Sequence, residues 1–364
     1  MKDIDKFRGC LFGGAVGDAL GYPVEFLKYK QIQEIYGKNG ITSFKLKNNI
    51  AEISDDTQMT LFTANGLLVR TTRGTLRGIA ATPEDYCWDC YKSWLKIQSE
   101  NFNDRKRNFP WLINFPELYN CRAPGNTIIN ALNNNIQGTI DKPINNSKGC
   151  GGVMRVAPIG LYFDTEDIKN LIILGAKNAA LTHGHDLGYI PAGALVYIIN
   201  KIIYSKENIT LEDIVNNCID QIQEIFSDKE HIQEFISLME LAIKLSKLNV
   251  DDYKAISNIG LGWVAEEALA TAIYCSLKYN NNFEKAIIAS VNHDGDSDST
   301  GSITGNIIGT LLGYNKIPKK FKINIELKDI ILEIAEDLYT DFKPVNSYTL
   351  NEKEKKWFKK YASC

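Results

Sequence analysis

Glycine recurs at every fourth position in one segment near the C-terminal end of this 364-residue chain. The four residues are Gly301, Gly305, Gly309 and Gly313. Four residues make nearly one helical turn, so the pattern predicts a helix from about 301 to 312 with a bare stripe that packs closely against another backbone. The segment is too short and too polar to span a bilayer. We therefore expect this helix to hold the residues just before it tightly against the core.

Helical spacing of apolar residues also dominates the other long segments of the chain. Examples are Phe7, Leu11 and Ala15, and Ile172, Ala176 and Ala179. Strand-like alternation is scarce, although residues 41–46 suit a short hairpin arm. The chain has no internal repeat and no linker rich in proline and glycine. The sequence therefore predicts an all-α fold in one compact domain.

The composition excludes several classes of protein. Hydrophobic residues make up 44% of the chain and charged residues 23%, which is typical of a globular protein. A formal net charge of -3 provides no positive field for nucleic acid, so we expect no nucleic-acid partner. The eight cysteines are scattered, and the first residues lack a signal-peptide pattern. We expect a soluble, cytoplasmic protein that does not enter a membrane.

Two adjacent aspartates stand before a predicted helix in the sequence Ser54-Asp55-Asp56-Thr57. Apolar spacing predicts that helix over residues 58–69. A serine or aspartate just before a helix suits an N-cap, and an acid there also meets the positive end of the helix dipole. Capping needs one side chain and does not require two adjacent acids, so a metal-binding role stays open beside it.

A second acidic cluster precedes the helix with the glycine stripe. Asp294, Asp296 and Asp298 alternate with other residues between His293 and Thr300. Three carboxylates this close repel one another unless a cation neutralises them, and Asp, Ser and Thr oxygens favour Mg²⁺ or Mn²⁺ over zinc. The spacing lacks the glycine and the distal glutamate of a calcium-binding EF-hand loop. A cap with a turn also explains the cluster, but the presence of two such clusters favours a pair of metal ions.

Glycines interrupt regular structure at residues 149–152, which read Gly-Cys-Gly-Gly. Such a segment either exposes N–H groups to a diphosphate or sugar, or forms a tight turn before a helix. We expect Cys150 to be a packed residue and not a nucleophile, because the sequence assigns it no histidine. His183 and His185 lack the i, i+4 spacing of helical zinc sites, so we interpret His183 as a donor to a ligand.

Five segments, taken in order, resemble the motifs of the ADP-ribosylglycohydrolase family, which contains dinitrogenase reductase-activating glycohydrolase and the ADP-ribosylarginine hydrolases. The matching segments are Gly13 to Gly21 with Glu25, Ser54 to Thr57, Gly149 to Arg155, Thr182 to His185, and Gly295 to Gly301. The resemblance extends from about residue 7 to about residue 340. Three positions differ from the family's frequent residues: Ser54 replaces Thr, Cys150 replaces Asn, and Asp294 replaces Gly.

The resemblance implies a compact single-domain orthogonal helical bundle with a two-metal centre. The positions that match its metal ligands are Ser54, Asp55, Asp56, Asp296, Asp298 and Ser299. Glu25 matches the acidic residue on the family's mobile loop, and we expect catalytic roles for Glu25, Asp56 and Asp296. The positions that match its ADP-ribose contacts are Asn146, Ser147, Lys148, Gly149, Cys150, Gly151, Gly152 and His183.

The implied function is a hydrolase that uses two Mg²⁺ ions, or Mn²⁺, to remove ADP-ribose from arginine in modified proteins. Cleaving this bond needs an activated water, stabilisation of cationic charge on the sugar and a proton for the leaving group. The alternatives are another ADP-ribose linkage, as in O-acetyl-ADP-ribose, ADP-ribosylserine or modified nucleic acid, and a protein that blocks an ADP-ribosyltransferase toxin. A metal-dependent phosphohydrolase centred on His293 and Asp294 is a further alternative.

We expect the ADP-ribosylglycohydrolase-like domain to occupy residues 1–345. Residues 346–364 form a basic and aromatic tail, for which we expect a solvated terminal helix whose aromatic side chains pack back on the body. Residues 99–125 are polar and aromatic without a clear period, and loops of that length are often functional. We expect this loop to border a pocket and, together with the tail, to set substrate preference.

Overall fold

Helices make up nearly all the regular structure in the computed structural model, which describes residues 2–78, 80–105, 110–206, 209–342 and 351–362. The α-helices are α1 (Ile4–Gly21), α2 (Tyr29–Tyr36), α3 (Asp55–Arg77), α4 (Pro83–Ile97), α5 (Asn126–Asn133), α6 (Ala157–Tyr162), α7 (Ile168–Ala180), α8 (Asp186–Tyr204), α9 (Leu211–Ile225), α10 (Ile232–Ser246), α11 (Asp252–Ile259), α12 (Ala265–Lys278), α13 (Phe283–Val291), α14 (Ser297–Leu312), α15 (Lys328–Thr340) and α16 (Glu352–Tyr361). Short 3₁₀ helices span Tyr22–Val24, Phe102–Asp104, Trp111–Asn114, Pro116–Tyr119, Cys150–Gly152, Tyr314–Lys316 and Lys319–Lys322. Within these ranges the only β structure is isolated bridges, so the all-α prediction is confirmed.

The glycine stripe of α14 packs against α1, which carries its own glycine at every fourth position. A Cβ atom on Gly17 would lie 1.9 Å from the carbonyl oxygen of Gly301, and one on Gly13 would lie 2.4 Å from that of Gly305. These distances are far inside van der Waals contact, so the two backbones touch with no side chain between them. The predicted close packing of α14 is therefore confirmed, and α1 is its partner.

This packing is antiparallel and brings two helix ends together. Gly9 at the beginning of α1 meets Gly309 near the end of α14, whereas Gly21 at the end of α1 meets the backbone of Ser297. The C-terminal end of α1 therefore lies beside the N-terminal end of α14. The residues that follow α1, including Glu25, consequently come close to the second acidic cluster.

Both acidic clusters lie at helix starts, and both helices begin earlier than predicted. α14 begins at 297 instead of 301 because Asp296 caps it and accepts from the Ser299 N–H at 3.3 Å. α3 begins at 55 instead of 58 because Ser54 accepts from the Asp56 N–H at 3.2 Å. The apolar pattern missed these first turns, since the acids there break the periodicity on which the prediction depended.

The predicted hairpin arm at residues 41–46 is wrong. The chain has no strand there, and it reverses at Asn48 and Asn49, whose φ angles are 52° and 63°. These two residues lie between Lys47 and Ile50, which form an isolated antiparallel bridge. Asparagine enters the left-handed region more readily than most other non-glycine residues, so the local turn residues decide where the chain reverses.

Helix α8 is long and apolar enough, by length and composition, to cross a membrane. Its mean hydropathy is 1.3 over an 18-residue window, and 89% of that window is buried inside the protein. It packs against α6, α7, α9 and α12. Such enclosure by other helices is typical of the central helix of a protein core.

Helix α16 lies in the predicted tail and packs on the body through its aromatic side chains. The Trp357 Nε1–H donates to Thr72 Oγ1 at 2.8 Å, and the Tyr361 hydroxyl donates to Asp337 Oδ2 at 2.6 Å. Both aromatic residues are buried, so the predicted terminal helix with packed aromatic residues is confirmed. The predicted boundary between residues 345 and 346 lies outside the described residues.

Candidate active site

A cleft opens where the end of α1 meets the starts of α3 and α14. Most of the site residues predicted from the sequence line it together: Glu25, Asp55, Asp56, Gly149, Cys150, Gly151, His183, Asp296, Asp298 and Ser299. These ten residues come from five separate segments of the chain.

Five buried carboxylates line this cleft. They are Glu25, Asp55, Asp56, Asp296 and Asp298. Carboxylate oxygens of Glu25, Asp296 and Asp298 lie within 4.8 Å of one another. The Ser299 hydroxyl donates to Asp56 Oδ2 at 3.3 Å and so joins the acids of α3 to those of α14.

Burial and mutual repulsion raise the pKa values of these carboxyls. Burial, followed by the charges of Asp296 and Asp55, raises the pKa of Glu25 to about 9. Burial first, and neighbouring carboxylates second, raise the pKa values of Asp55, Asp56 and Asp298 well above the usual range. Burial also raises the pKa of Asp296. The folded chain therefore favours protonated acids, or acids neutralised by a bound cation.

The donor atoms in the cleft fit a hard cation. Two buried oxygens, Asp56 Oδ1 and Glu25 Oε2, have no hydrogen-bond partner in the described part of the chain. A buried carboxylate oxygen without a partner is costly, and coordination to a cation removes that cost. Carboxylate and hydroxyl oxygens are the ligands that Mg²⁺ and Mn²⁺ prefer.

Asp18 lies behind the acidic cluster and stabilises it, a role that was not predicted from the sequence. Its fully buried carboxylate accepts from the Ser54 N–H at 2.9 and 3.0 Å, and from the Thr57 N–H at 3.1 Å and the Thr57 hydroxyl. Burial raises the pKa of Asp18 to about 6. Asp18 therefore ties α1 to the first turn of α3. The available signal was an acid inside the small, apolar run of residues 13–21.

His183 presents a neutral imidazole to the cleft. The Arg155 guanidinium donates to Thr182 Oγ1 at 2.8 Å. The Thr182 hydroxyl then donates to His183 Nδ1 at 2.8 Å, because its other acceptor, the Ala179 carbonyl, is farther away at 3.5 Å. This assignment places the ring proton on Nε2. Burial lowers the pKa of His183 to about 3, so the ring remains a neutral N–H donor near pH 7.

The glycine segment at residues 149–152 forms a tight turn whose neighbours leave little room. A Cβ atom on Gly151 would lie 2.7 Å from Ile128 Cδ1. The Cys150 N–H donates to the Trp263 carbonyl at 3.2 Å, which fixes the turn against the segment before α12. The tight-turn interpretation is therefore confirmed. Contact between this turn and a diphosphate or sugar stays a prediction.

The Cys150 side chain lies among the acids. Its thiol donates to Asp296 Oδ2 at 2.8 Å, and Ser299 Oγ lies 3.5 Å from its sulfur. Burial, followed by the charges of Asp296 and Asp56, raises the pKa of Cys150 well above its usual value. The thiol therefore keeps its proton at neutral pH, which agrees with the expectation that Cys150 is a packed residue.

Five predicted site residues do not line the cleft: Ser54, Asn146, Ser147, Lys148 and Gly152. Ser54 uses its hydroxyl to cap α3. The Lys148 ammonium pairs with Glu266 and, at 3.5 Å, with Glu234. The Ser147 hydroxyl accepts from the Gly149 N–H at 3.3 Å and thus shapes the glycine turn. Their predicted metal and ADP-ribose contacts stay predictions.

The remaining lining residues are Ala123, Gly125, Thr127, Ile128, Met154 and Trp263, none of which was predicted as a site residue. Ala123 and Gly125 nevertheless belong to the loop predicted to border a pocket, and Met154 lies in the matched segment Gly149 to Arg155. Trp263 stacks on the exposed Phe26 with ring centroids 5.7 Å apart. The local sequence signal for Trp263 was the pair of glycines before it, Gly260 and Gly262. In the structure both have positive φ and form a turn. Ala123 and Gly125 end the 99–125 loop, so the described part of that loop reaches the cleft only at its end.

Two residues of the second acidic cluster face elsewhere. Both ring nitrogens of His293 are engaged inside its own loop and by α14. Asp294 accepts from the Tyr29 N–H at 2.6 Å and from the Tyr253 hydroxyl at 3.0 Å. Neither residue lines the cleft, so the phosphohydrolase alternative centred on this pair is not supported.

Comparisons with known proteins agree over nearly the whole chain. A family model described as ADP-ribosylglycohydrolase matches residues 1–347. The chain is 22% identical over 365 residues to ADP-ribosylhydrolase ARH3 of Gallus gallus, covering 92% of each chain. It is 24% identical over 346 residues to ADP-ribosylarginine hydrolase Tri1 of Serratia proteamaculans, covering 93% of this chain and 80% of the relative. A solved chain titled ADP-ribosylglycohydrolase-related protein complex has the same fold, with a TM-score of 0.60 and 19% identity over 93% of this chain and 98% of the other.

Proposed function

The chain belongs to the ADP-ribosylglycohydrolase family, and from this membership we propose that it is an Mg²⁺-dependent hydrolase that removes ADP-ribose from arginine in modified proteins. Membership of this family supports the assignment of the chain as a hydrolase that acts on ADP-ribosylated substrates. The arginine linkage, the use of two Mg²⁺ ions and a cytoplasmic location are our proposals. The name of the Serratia relative favours the arginine linkage.

One observation carries the proposal: buried acids and a neutral imidazole donor face the same cleft. The acids suit the cationic charge that develops on a sugar when its glycosidic bond breaks. The His183 Nε2–H suits an anionic oxygen of a diphosphate. A ligand that carries both a ribose and a diphosphate, such as ADP-ribose, matches both parts of the cleft.

We assign proton transfer to Glu25. Its Oε2 has no partner among the described residues, and its raised pKa lets it hold a proton in the metal-free protein. Bound Mg²⁺, held by the four aspartates of the cleft, would supply positive charge that activates water and neutralises the acids. Asp296 is held in place by Cys150 and Ser299, and Asp56 by Ser299, so both are positioned to orient the reacting groups.

Mg²⁺ should stabilise the protein more at about pH 8 than at about pH 5.5. The pKa values of Asp18 and Glu25 are raised to about 6 and about 9, so these two carboxyls bind more protons in the folded metal-free chain than in the unfolded chain. The contribution of these two carboxyls to the free energy of unfolding therefore falls as the pH rises from about 4 towards 9, and Mg²⁺ displaces their protons more easily at high pH. Thermal unfolding in Mg²⁺ and in EDTA measures the effect. An equal increase in Tm at both pH values would contradict it.

Changing His183→Ala should weaken ADP-ribose binding roughly 10- to 100-fold, the expected cost of losing one hydrogen bond to a charged group. Calorimetric titration with ADP-ribose measures the loss. An unchanged Mg²⁺-induced increase in Tm would show that the acidic part of the cleft is intact. Binding within a factor of about two of wild type would remove His183 from the site.

The linkage is tested by comparing substrates side by side. Arginine-ADP-ribosylated protein, ADP-ribosylserine peptide and O-acetyl-ADP-ribose share the ADP-ribose group and differ only in what is attached to ribose. We expect the arginine linkage to be hydrolysed fastest. Faster release from serine or from acetate would move the proposal to that linkage, since relatives named only as ADP-ribosylhydrolases also match this chain.

A protein that only blocks an ADP-ribosyltransferase toxin is the alternative from another class. Buried carboxylates that repel one another, and whose oxygens have no partner among the described residues, destabilise the fold. Such destabilising groups are typical of catalytic sites, and a protein that only binds a toxin does not need them. The double variant Asp55→Ala, Asp56→Ala separates the two functions in cells that express a transferase toxin. A blocker would still protect the cells, whereas an enzyme would not.

A further inference from the structure

Three metal-binding side chains meet outside the acidic cleft, at the start of α8. They are His185, which caps α8, Asp186 in its first turn, and His231 just before α10. Potential ligand atoms of the three residues lie within 4.8 Å of one another. His231 Nδ1 is 2.9 Å from both carboxylate oxygens of Asp186, and His185 Nδ1 is 2.8 Å from Oδ1. The two imidazole centroids are 4.6 Å apart.

The hydrogen bonds around His185 leave two electron-rich atoms, His185 Nδ1 and Asp186 Oδ1, close together. The Leu187 N–H donates to His185 Nδ1 at 3.0 Å and also to Asp186 Oδ1 at 2.8 Å. Nδ1 therefore carries a lone pair, and it faces a carboxylate oxygen only 2.8 Å away. Asp186 also accepts from the His231 backbone N–H at 3.0 Å. These neutral N–H donors offset the repulsion between the two lone-pair atoms less than a cation bound to both. Either a proton or a metal ion placed between these two atoms removes the repulsion.

We propose that His185, Asp186 and His231 bind one divalent transition-metal ion of the Zn²⁺ class. Two imidazole nitrogens and a carboxylate are ligands that such ions prefer, whereas Mg²⁺ prefers oxygen ligands. His231 binds as the tautomer with its proton on Nε2, which frees the Nδ1 lone pair without net loss of a proton. The exposed side-chain fractions are 13%, 10% and 33% for the three residues in order, so one side of the site is open to a water ligand.

The ion would fasten two helix starts to a segment beside the cleft. The His185 N–H donates to the Ser147 carbonyl at 3.3 Å, so the site is directly joined to residues 147–148. Lys148 reaches back to Glu234 in the first turn of α10 at 3.5 Å. The ion therefore stabilises this corner of the fold and holds the turn next to Gly149 in place. It takes no part in bond cleavage.

A Zn²⁺ titration of the full chain, with excess Mg²⁺ present to occupy the acidic cleft, tests this proposal. We expect one Zn²⁺ per chain for wild type and for the control Gln233→Ala, an exposed residue in the same turn. His231→Ala and Asp186→Asn should each weaken that binding more than about tenfold, and Asp56→Asn should not. With Co²⁺ as the probe, the visible absorption of an imidazole-bound ion should appear in wild type and disappear in both ligand variants.

Three results would overturn the proposal. Zn²⁺ binding that persists unchanged in both ligand variants places the ion outside this cluster, and binding that disappears in Asp56→Asn places it in the acidic cleft. No Zn²⁺ binding to wild type leaves a protonated His185 as the bridging cation. Far-UV circular dichroism of each variant shows whether it is folded, and Asp186→Asn, which keeps the side-chain size, decides the outcome if His231→Ala does not fold.

Discussion

Changing Asp56→Asn should abolish the release of ADP-ribose, by at least about 1,000-fold, while raising the Tm of the metal-free protein. Asp56 is buried, its Oδ1 has no partner in the described part of the chain, and burial and neighbouring acids raise its pKa. The amide removes one negative charge from a group of mutually repelling carboxylates, so the empty site becomes less strained. The same change removes a ligand oxygen for Mg²⁺. Activity and metal-free stability should therefore move in opposite directions.

Initial rates and thermal unfolding in EDTA measure the two effects. The matched control is Asp89→Asn, an exposed aspartate that pairs with Lys92 at 3.0 Å on the surface and should change neither quantity appreciably. Retained activity in Asp56→Asn, or a lower Tm in EDTA, would show that Asp56 is a structural residue and not part of a metal-binding site.

Changing Gly17→Ala should destabilise the fold by at least about 3 kcal/mol, or prevent recovery of folded protein. The added Cβ would lie 1.9 Å from the Gly301 carbonyl oxygen, and both atoms belong to packed helices that have no space to separate locally. Displacing α1 from α14 also moves Asp18 and Glu25 relative to the aspartates of α14. Any folded fraction should therefore bind Mg²⁺ more weakly than wild type.

Urea unfolding followed by circular dichroism measures this loss. Gly125→Ala is the control, because a Cβ on Gly125 would meet no atom within 4 Å and its φ of -62° suits any residue. We expect the free energy of unfolding of this control to stay within about 0.5 kcal/mol of wild type. The same small change in Gly17→Ala would mean that α1 and α14 are not packed backbone to backbone.

The fold class and the acidic half of the cleft could be predicted because their signals are local. Glycine at every fourth position shows that one face of α14 is bare, and adjacent acids before a helix exceed what capping needs. The sequence near α14 does not show which helix packs against its glycine face. Gly9, Gly13, Gly17 and Gly21 repeat the same spacing in α1, and comparing the two glycine series would have paired the helices.

The rest of the site could not be predicted because it depends on tertiary packing. Trp263 reaches the cleft from a segment more than 100 residues beyond Cys150. The Cys150 N–H donates to the Trp263 carbonyl, and the sequence does not show this contact. His231 joins His185 from another helix, so the search for i, i+4 histidine spacing did not connect them. Asp18 stands out as one acid among small and apolar residues of α1, but that signal does not say which helix the acid contacts.

Release of free ADP-ribose from an arginine-ADP-ribosylated protein, measured with Mg²⁺ and with EDTA, tests the central claim most directly. We expect steady release in Mg²⁺, loss of release in EDTA and recovery when Mg²⁺ is restored, because the buried acids need a cation to reach their working charge state. Release that continues unchanged in EDTA would contradict the metal-dependent mechanism. No release in Mg²⁺ from a folded protein that binds ADP-ribose would contradict the proposed activity on arginine.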